Sequence, residues 1–180
     1  MKNFNLEAEY TDYHDLINGL EAFTFLTKKE KTRLASGITL MTFERQDVLF
    51  KQNMPSDHVV YVVSGLIKVF SGGRANRIIC VKLAGPGSFA ALSSAFSLSV
   101  YRHSAAAVEK TVALMIRREI LKDIMNQNGR FSMLIINLMG KEIIELSNKL
   151  VTFSIKQLPG KVADLLRHFS EDVFGSNEFT

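Results

Sequence analysis

The stretch from Val59 to Phe89 constrains the fold of this chain more than any other. It opens with the apolar run Val59-Val60-Tyr61-Val62-Val63, breaks at Ser64-Gly65 and resumes at Leu66-Ile67-Lys68-Val69-Phe70. A second turn at Ser71-Gly72-Gly73 precedes Ile78-Ile79-Cys80-Val81, and Gly85-Pro86-Gly87-Ser88-Phe89 closes the series. Short β-branched and aromatic runs, punctuated by glycine about every eight to twelve residues, specify an all-β sandwich or barrel. Such a roll has an interior, and an interior can hold a small ligand.

Strand-like runs continue on both sides. Ile38-Thr39-Leu40-Met41-Thr42-Phe43 and Val48-Leu49-Phe50 precede the central stretch, and the series extends to about Ile116. Ahead of it, Thr11 to Gly37 reads as helical. Thr27-Lys28-Lys29-Glu30 fits a capping box, in which the Thr hydroxyl and the Glu carboxylate satisfy the first free amides, with Leu34 and Ala35 facing inward. After the roll, Arg117 to Met125 reads as a short helix stopped near Asn128-Gly129. A longer helix starts near Arg130 and runs toward Leu158.

On that helix Ile136, Met139, Ile143, Leu146, Leu150 and Phe153 recur at alternating steps of three and four. This is the a/d seam of a coiled coil, sustained over about two and a half heptads. It is expected to join two copies of the chain in a parallel homodimer; the alternative is an amphipathic helix packed on its own domain. Pro159-Gly160 breaks the pattern. Lys161 to Val173 is expected to be a further amphipathic helix, with Val162, Leu165, Leu166 and Phe169 on one side and Gly175 as its stop. Helix, glycine and then Glu178-Phe179-Thr180 resemble the entrance to another domain. The expected organisation is a roll with flanking helices over residues 1–127, a dimerisation helix over 128–158, and a hinge with the start of a truncated domain over 159–180.

Composition narrows the function classes. A chain of 180 residues with 47% hydrophobic content is long enough for one real core. A net charge of +4 permits contact with nucleic acid without demanding it. The single Cys80 excludes an internal disulfide and a cysteine-ligated iron–sulfur cluster, and suits a reducing cytoplasm. Cys80 is expected to be a small buried hydrophobe. The start Met1-Lys2-Asn3-Phe4 leads into a polar, acidic segment without an apolar core, so no signal peptide is expected. Nothing reaches about 18 uninterrupted apolar residues, so no membrane partner is expected either.

From Phe43 to about Phe169 the chain resembles transcription regulators of the catabolite activator / fumarate–nitrate regulator (CRP/FNR) family. Phe43-Glu44-Arg45-Gln46-Asp47-Val48-Leu49-Phe50 is similar to the family's F-x-[KR]-G-[ED]-x-[IL]-F entry, with Gln46 at the glycine. Tyr61 to Phe70 is close to its Y-x-[VI]-x-S-G-x-[VI]-x-[VL] hairpin. Gly85 to Phe89 resembles the lead into the phosphate-binding cassette, Tyr101 to Ala105 its exit, and Gln157 to Leu166 the hinge and first helix of a winged-helix domain. The resemblance implies a mainly β fold with helices: a double-stranded β-helix, or jelly roll, followed by a long dimerisation helix. It implies pocket residues among Phe89, Ala90, Ala91, Leu92, Arg102, His103 and Ser104, with Ser147 contacting the ligand from the dimer helix.

The departures bear on the ligand. Cyclic-AMP binders of the family place Gly-Glu-Leu two residues after the cassette phenylalanine, and the carboxylate holds the ribose. Here those positions read Ala91-Leu92-Ser93. Their Arg-Ser pair, which neutralises the cyclic phosphate, reads His103-Ser104, with Arg102 one position early. A buried phosphate needs a compensating cation and donors. Strand neighbours point to opposite faces, so Arg102 faces away if His103 faces in. Cyclic AMP is therefore not the expected ligand; an unknown small effector, or a pocket filled by protein side chains, is. His103 is a candidate pocket or pH-sensitive group, against the alternative of an ordinary half-buried strand histidine.

The resemblance thus implies the effector-sensing and dimerisation part of a bacterial transcription regulator, cytoplasmic and without enzymatic activity. It would contact DNA through a C-terminal domain outside this chain, and RNA polymerase is a possible partner of the full-length parent. Two other classes stay open: a stand-alone sensor or scaffold protein, and a cupin-like metal enzyme, for which the roll offers His58, His103, Glu44 and Glu109.

Overall fold

In a computed structural model, which describes residues 13–72, 78–97, 99–155 and 158–170, the run at Val59–Val63 is apolar at nearly every position because both its faces are covered. Val59 and Tyr61 point toward a helical layer, while Val60 and Val62 point into the roll. Burial on both sides replaces the alternation expected of a half-exposed strand.

The chain begins with α1 (Tyr13–Gly19), a 3-10 turn (Glu21–Phe23) and α2 (Lys28–Ala35). The capping box at Thr27 is present: Glu30 Oε2 accepts from the Thr27 amide at 2.7 Å, and Thr27 Oγ1 accepts from the Glu30 amide at 3.3 Å. Eight strands follow: β1 (Ile38–Phe43), β2 (Val48–Phe50), β3 (His58–Ser64), β4 (Ile67–Gly72), β5 (Ile78–Ala84), β6 (Phe89–Ala90), β7 (Ser104–Ala107) and β8 (Thr111–Arg117), with the short α3 (Leu92–Ser97) between β6 and β7. The described residues form two four-stranded antiparallel sheets, ordered β1-β8-β3-β6 and β2-β7-β4-β5. They face each other as a jelly roll. Its interior packs Phe43, Phe50, Val60, Val62, Ile67, Val69 and Tyr101 against the small side chains Ala105, Ala107 and Ala113.

A second core lies outside the first sheet. Phe23, Tyr61, Phe89 and Phe131 form an aromatic cluster with ring centroids 4.9–6.3 Å apart. It joins the N-terminal helices to α4 (Arg118–Gln127) and to the first turns of α5 (Gly129–Ile155). Asn128 pins this junction: its side-chain amide donates to Phe25 O (2.9 Å) and Glu30 Oε2 (3.0 Å), while its oxygen accepts from the Phe131 amide at 3.0 Å.

Three expectations change. The long helix ends at Ile155, and α6 (Leu158–His168) starts before Pro159 instead of after it; proline is tolerated in a first helical turn, where its missing N–H has no intrahelical partner. The expected stop at Gly175 lies outside the described residues. Cys80 is exposed, not buried, because Ile78 to Cys80 lie on β5, at the outer edge of its sheet. Arg118, at the start of α4, is partly buried, and its guanidinium donates to Ser56 Oγ at 3.3 Å.

Candidate functional site

A cavity of about 80 Å3 opens where the roll meets α5. The cassette supplies Ala90, Ala91, Ser93 and Ser94. The second sheet and the cassette exit supply Phe50, Val69, Val81, Lys82 and His103, and α5 closes the cavity with Glu142, Glu145, Leu146 and Lys149.

The cassette keeps its backbone while changing its side chains. Ala91 has φ +67° and Gln46 φ +76°, and both stand where the resembled family has glycine. The left-handed conformation is thus retained without the residue that adopts it most easily. Leu92, at the family's carboxylate position, is buried in the helix-side core, as is Phe89. Both expected pocket residues therefore face away from the roll cavity. Phe89 is drawn outward by Tyr61 and Phe23, and it and Leu92 border a second cleft of about 160 Å3 under α5.

At the cassette exit, His103 lines the cavity and Arg102 is exposed. His103 Nδ1 lies 2.7 Å from Ser71 Oγ. Burial, assisted by the neighbouring Arg102 charge, lowers the His103 pKa below its ordinary value, so the ring is neutral at neutral pH. Ser104 Oγ accepts from the Gln52 amide at 2.9 Å and serves the backbone. Ser147 is exposed on α5 and does not border the cavity. None of the three groups that could hold a cyclic nucleotide's ribose and phosphate is in place: no carboxylate stands at Leu92, His103 is uncharged, and Arg102 points elsewhere.

Of the two cations that line the cavity, Lys82 of β5 and Lys149 of α5, Lys82 is the one tied to the cassette. Its Nζ donates to Phe89 O at 3.2 Å and pairs with the Glu142 carboxylate. One strand position back, Val81 O accepts from Lys149 Nζ at 3.4 Å. The sequence reading missed these residues, although their spacing carries a signal. Phe131, Ile135, Leu138, Glu142, Glu145 and Lys149 recur at steps of four and three, the period of one helix face. That face is apolar over the helix-side core and turns charged over the cavity.

The opposite face of α5 carries exposed Ile136, Ile143, Ile144, Leu150 and Val151. Of the expected seam, Ile136, Ile143, Leu146 and Leu150 are exposed, Leu146 also borders the cavity, and Met139 packs partly against its own core. The helix start at Gly129, fixed by Asn128, sets which residues turn inward. The side chain of Phe153 lies outside the described residues. Among the described residues, no three His, Cys, Asp or Glu side chains come together as a metal site requires, so His58, His103, Glu44 and Glu109 form no such cluster. No described helix is long and apolar enough to cross a membrane.

Residues 40–128 match the family model for the cyclic nucleotide-binding domain. No curated protein sequence matches the chain. Solved structures share its fold. A regulator of the CRP/FNR family from Eubacterium rectale superposes with a TM-score of 0.74 at 16% identity, covering 84% of this chain and 71% of that one. The c-di-GMP-responsive regulator CLP of Xanthomonas campestris gives 0.70 at 14% identity, covering 81% and 73%. FixK2 of Bradyrhizobium japonicum gives 0.69 at 16% identity, over 74% of this chain and 66% of that one. The chain thus spans about two thirds of the length of FixK2, and at these identities the likeness is one of fold. Residues 40–128 thus match the cyclic nucleotide-binding domain model, and the chain shares the fold of CRP/FNR-family regulators.

Proposed function

We propose that the chain is the effector-sensing and dimerisation part of a CRP/FNR-type transcription regulator, acting in the bacterial cytoplasm. The carrying observation is that one helix serves two surfaces: α5 closes the roll cavity with Glu142, Glu145, Leu146 and Lys149, and presents exposed Ile136, Ile143 and Leu150 on its other side. A ligand that favours one placement of α5 would shift the population of dimer arrangements, and with it the DNA-binding parts beyond residue 158. The role is regulatory, not enzymatic. Cyclic AMP is not the effector in this scheme, because the cassette presents neither a carboxylate nor a charged side chain to the cavity.

The partner of the exposed face is a second copy of the chain. A contiguous apolar face is uncommon on a monomer, and steps of four and three through Ile136, Gly140, Ile143, Ser147 and Leu150 suit helix-on-helix packing. The double variant Ile143→Asp, Leu150→Asp is expected to halve the mass measured by light scattering. Its far-UV circular dichroism should be unchanged, since both side chains are more than 60% exposed in the single chain. A monomeric wild type, or a double variant that stays dimeric, would sink the proposal.

A further inference from the structure

The ion pair between Lys82 and Glu142 stands on the lining of both cavities beside α5. Lys82, Glu142 and Glu145 border both the roll cavity of about 80 Å3 and the outer cleft of about 160 Å3. Each is smaller than the roughly 300 Å3 at which small-molecule sites begin, and the paired side chains are common to both.

We propose that both cavities belong to one binding site for a small anionic effector, anchored on Lys82, and that Glu142 holds the anion's place in the present conformation. The proposal rests on the sensing function and adds the ligand's chemical class and the group that it displaces. Lys82 is already oriented to hold an anion. Its contact with Phe89 O ties the ammonium to the cassette while another of its three protons meets the Glu142 carboxylate. Both side chains of the pair are about three-quarters buried, where a charged partner is harder to replace by water. A carboxylate or phosphate oxygen can make the same charge-assisted bond. Once it does, Glu142 is displaced and Glu145, three residues on, faces a like charge. Both effects push α5 off the roll. A further tether in this region, Lys149 Nζ to Val81 O, is long at 3.4 Å and lies about two helical turns further on. Anion binding and release of the second half of α5 are thereby one coupled event. The anchor stands on β5, away from the cassette position at His103 where the resembled family neutralises a phosphate.

The test uses the whole chain and two probes, inorganic phosphate and acetate, each titrated calorimetrically against sodium chloride at equal ionic strength. Glu142→Gln removes the competing carboxylate and should bind at least one probe roughly tenfold more tightly than the wild type, the size of effect that loss of a partly exposed pair supports. A gain with phosphate alone marks a phosphoryl ligand, and a gain with acetate alone a carboxylate. Lys82→Met, alone or combined with Glu142→Gln, should bind neither probe. Independently of any probe, hydrogen exchange in Glu142→Gln should quicken over residues 142–155 and stay unchanged in β3 and β8. Equal affinity of wild type and Glu142→Gln for both probes, or a gain that survives Lys82→Met, overturns the proposal; so does unchanged exchange in α5. Light scattering of the same samples reads the dimer separately, so failure of anion binding is distinguishable from failure of the sensing and dimerisation function.

Discussion

Gly65 and Gly87 offer a controlled measurement of how tightly the roll is built. Both have left-handed backbones, at φ +84° and +83°, so alanine at either position meets the same conformational penalty of about 1–2 kcal/mol. Their surroundings differ. A Cβ at Gly87 would have nothing within 4 Å, whereas at Gly65 it would stand 2.5 Å from Lys110 O and 2.6 Å from both Cα and Oγ1 of Thr111. Two of those three atoms are backbone and cannot rotate away. The third belongs to the buried Thr111 hydroxyl, which accepts from the Leu66 amide at 3.2 Å and donates to Glu109 O at 2.9 Å. Relieving the overlap shifts the β3–β4 turn against the start of β8, adding about 1–3 kcal/mol for overpacking or for the strained hydrogen bond. Gly65→Ala should therefore destabilise by about 2–5 kcal/mol and Gly87→Ala by about 1–2 kcal/mol. In urea, with a slope of about 2 kcal/mol per M, the midpoints fall by roughly 1–2.5 M and 0.5–1 M. Both must be measured at one protein concentration, since self-association makes the midpoint concentration-dependent. Equal shifts for the two variants would refute the assignment of the extra loss to the Lys110–Thr111 contact.

Two further outcomes are expected. Tyr101→Phe removes a hydroxyl that donates to His58 O (2.9 Å) and accepts from the His58 amide (3.3 Å), while keeping the ring stacked on Phe50 at 4.3 Å; denaturant unfolding should show a loss of about 1–3 kcal/mol, and a loss below about 0.5 kcal/mol would show that water replaces both bonds. Desolvation raises the Glu30 pKa, but hydrogen bonds from Thr27 and Asn128 outweigh it and hold the carboxyl below its ordinary value of 4.5. A lowered folded pKa gives stability that is complete above the unfolded value and lost as pH falls through the folded one. The excess stability of wild type over Glu30→Gln should therefore be constant above about pH 5 and close in acid; a gap that widens as pH falls would contradict the sign.

The runs at Val59–Val63, Leu66–Phe70 and Ile78–Val81, cut by Gly65 and Gly72-Gly73, determine a β-roll on their own, because strand period and turn chemistry are local. So is the capping box at Thr27-Glu30, where both partners lie within one turn. The resemblance carried by Phe43–Phe50, Tyr61–Phe70 and Tyr101–Ala105 added the family and the absence of a cyclic-nucleotide set at Leu92 and His103. What tertiary structure alone decided concerns which of two faces a residue takes. Phe89 and Leu92 turn to the aromatic cluster because Phe23, from a distant helix, is there to meet them. Cys80 is exposed because its strand has a neighbour on one side only. On α5, two sets of steps of three and four are written in the same 27 residues. Periodicity cannot rank the stripe through Ile136 and Met139 against the one through Phe131, Leu138 and Glu142. Asn128, held by Phe25 and Glu30 at one end of the helix, and Glu142, paired with Lys82 further along, fix its rotation. Those contacts join residues tens of positions apart in sequence, so no local pattern records them, and they are what brings a charged face over the cavity and leaves an apolar one outside.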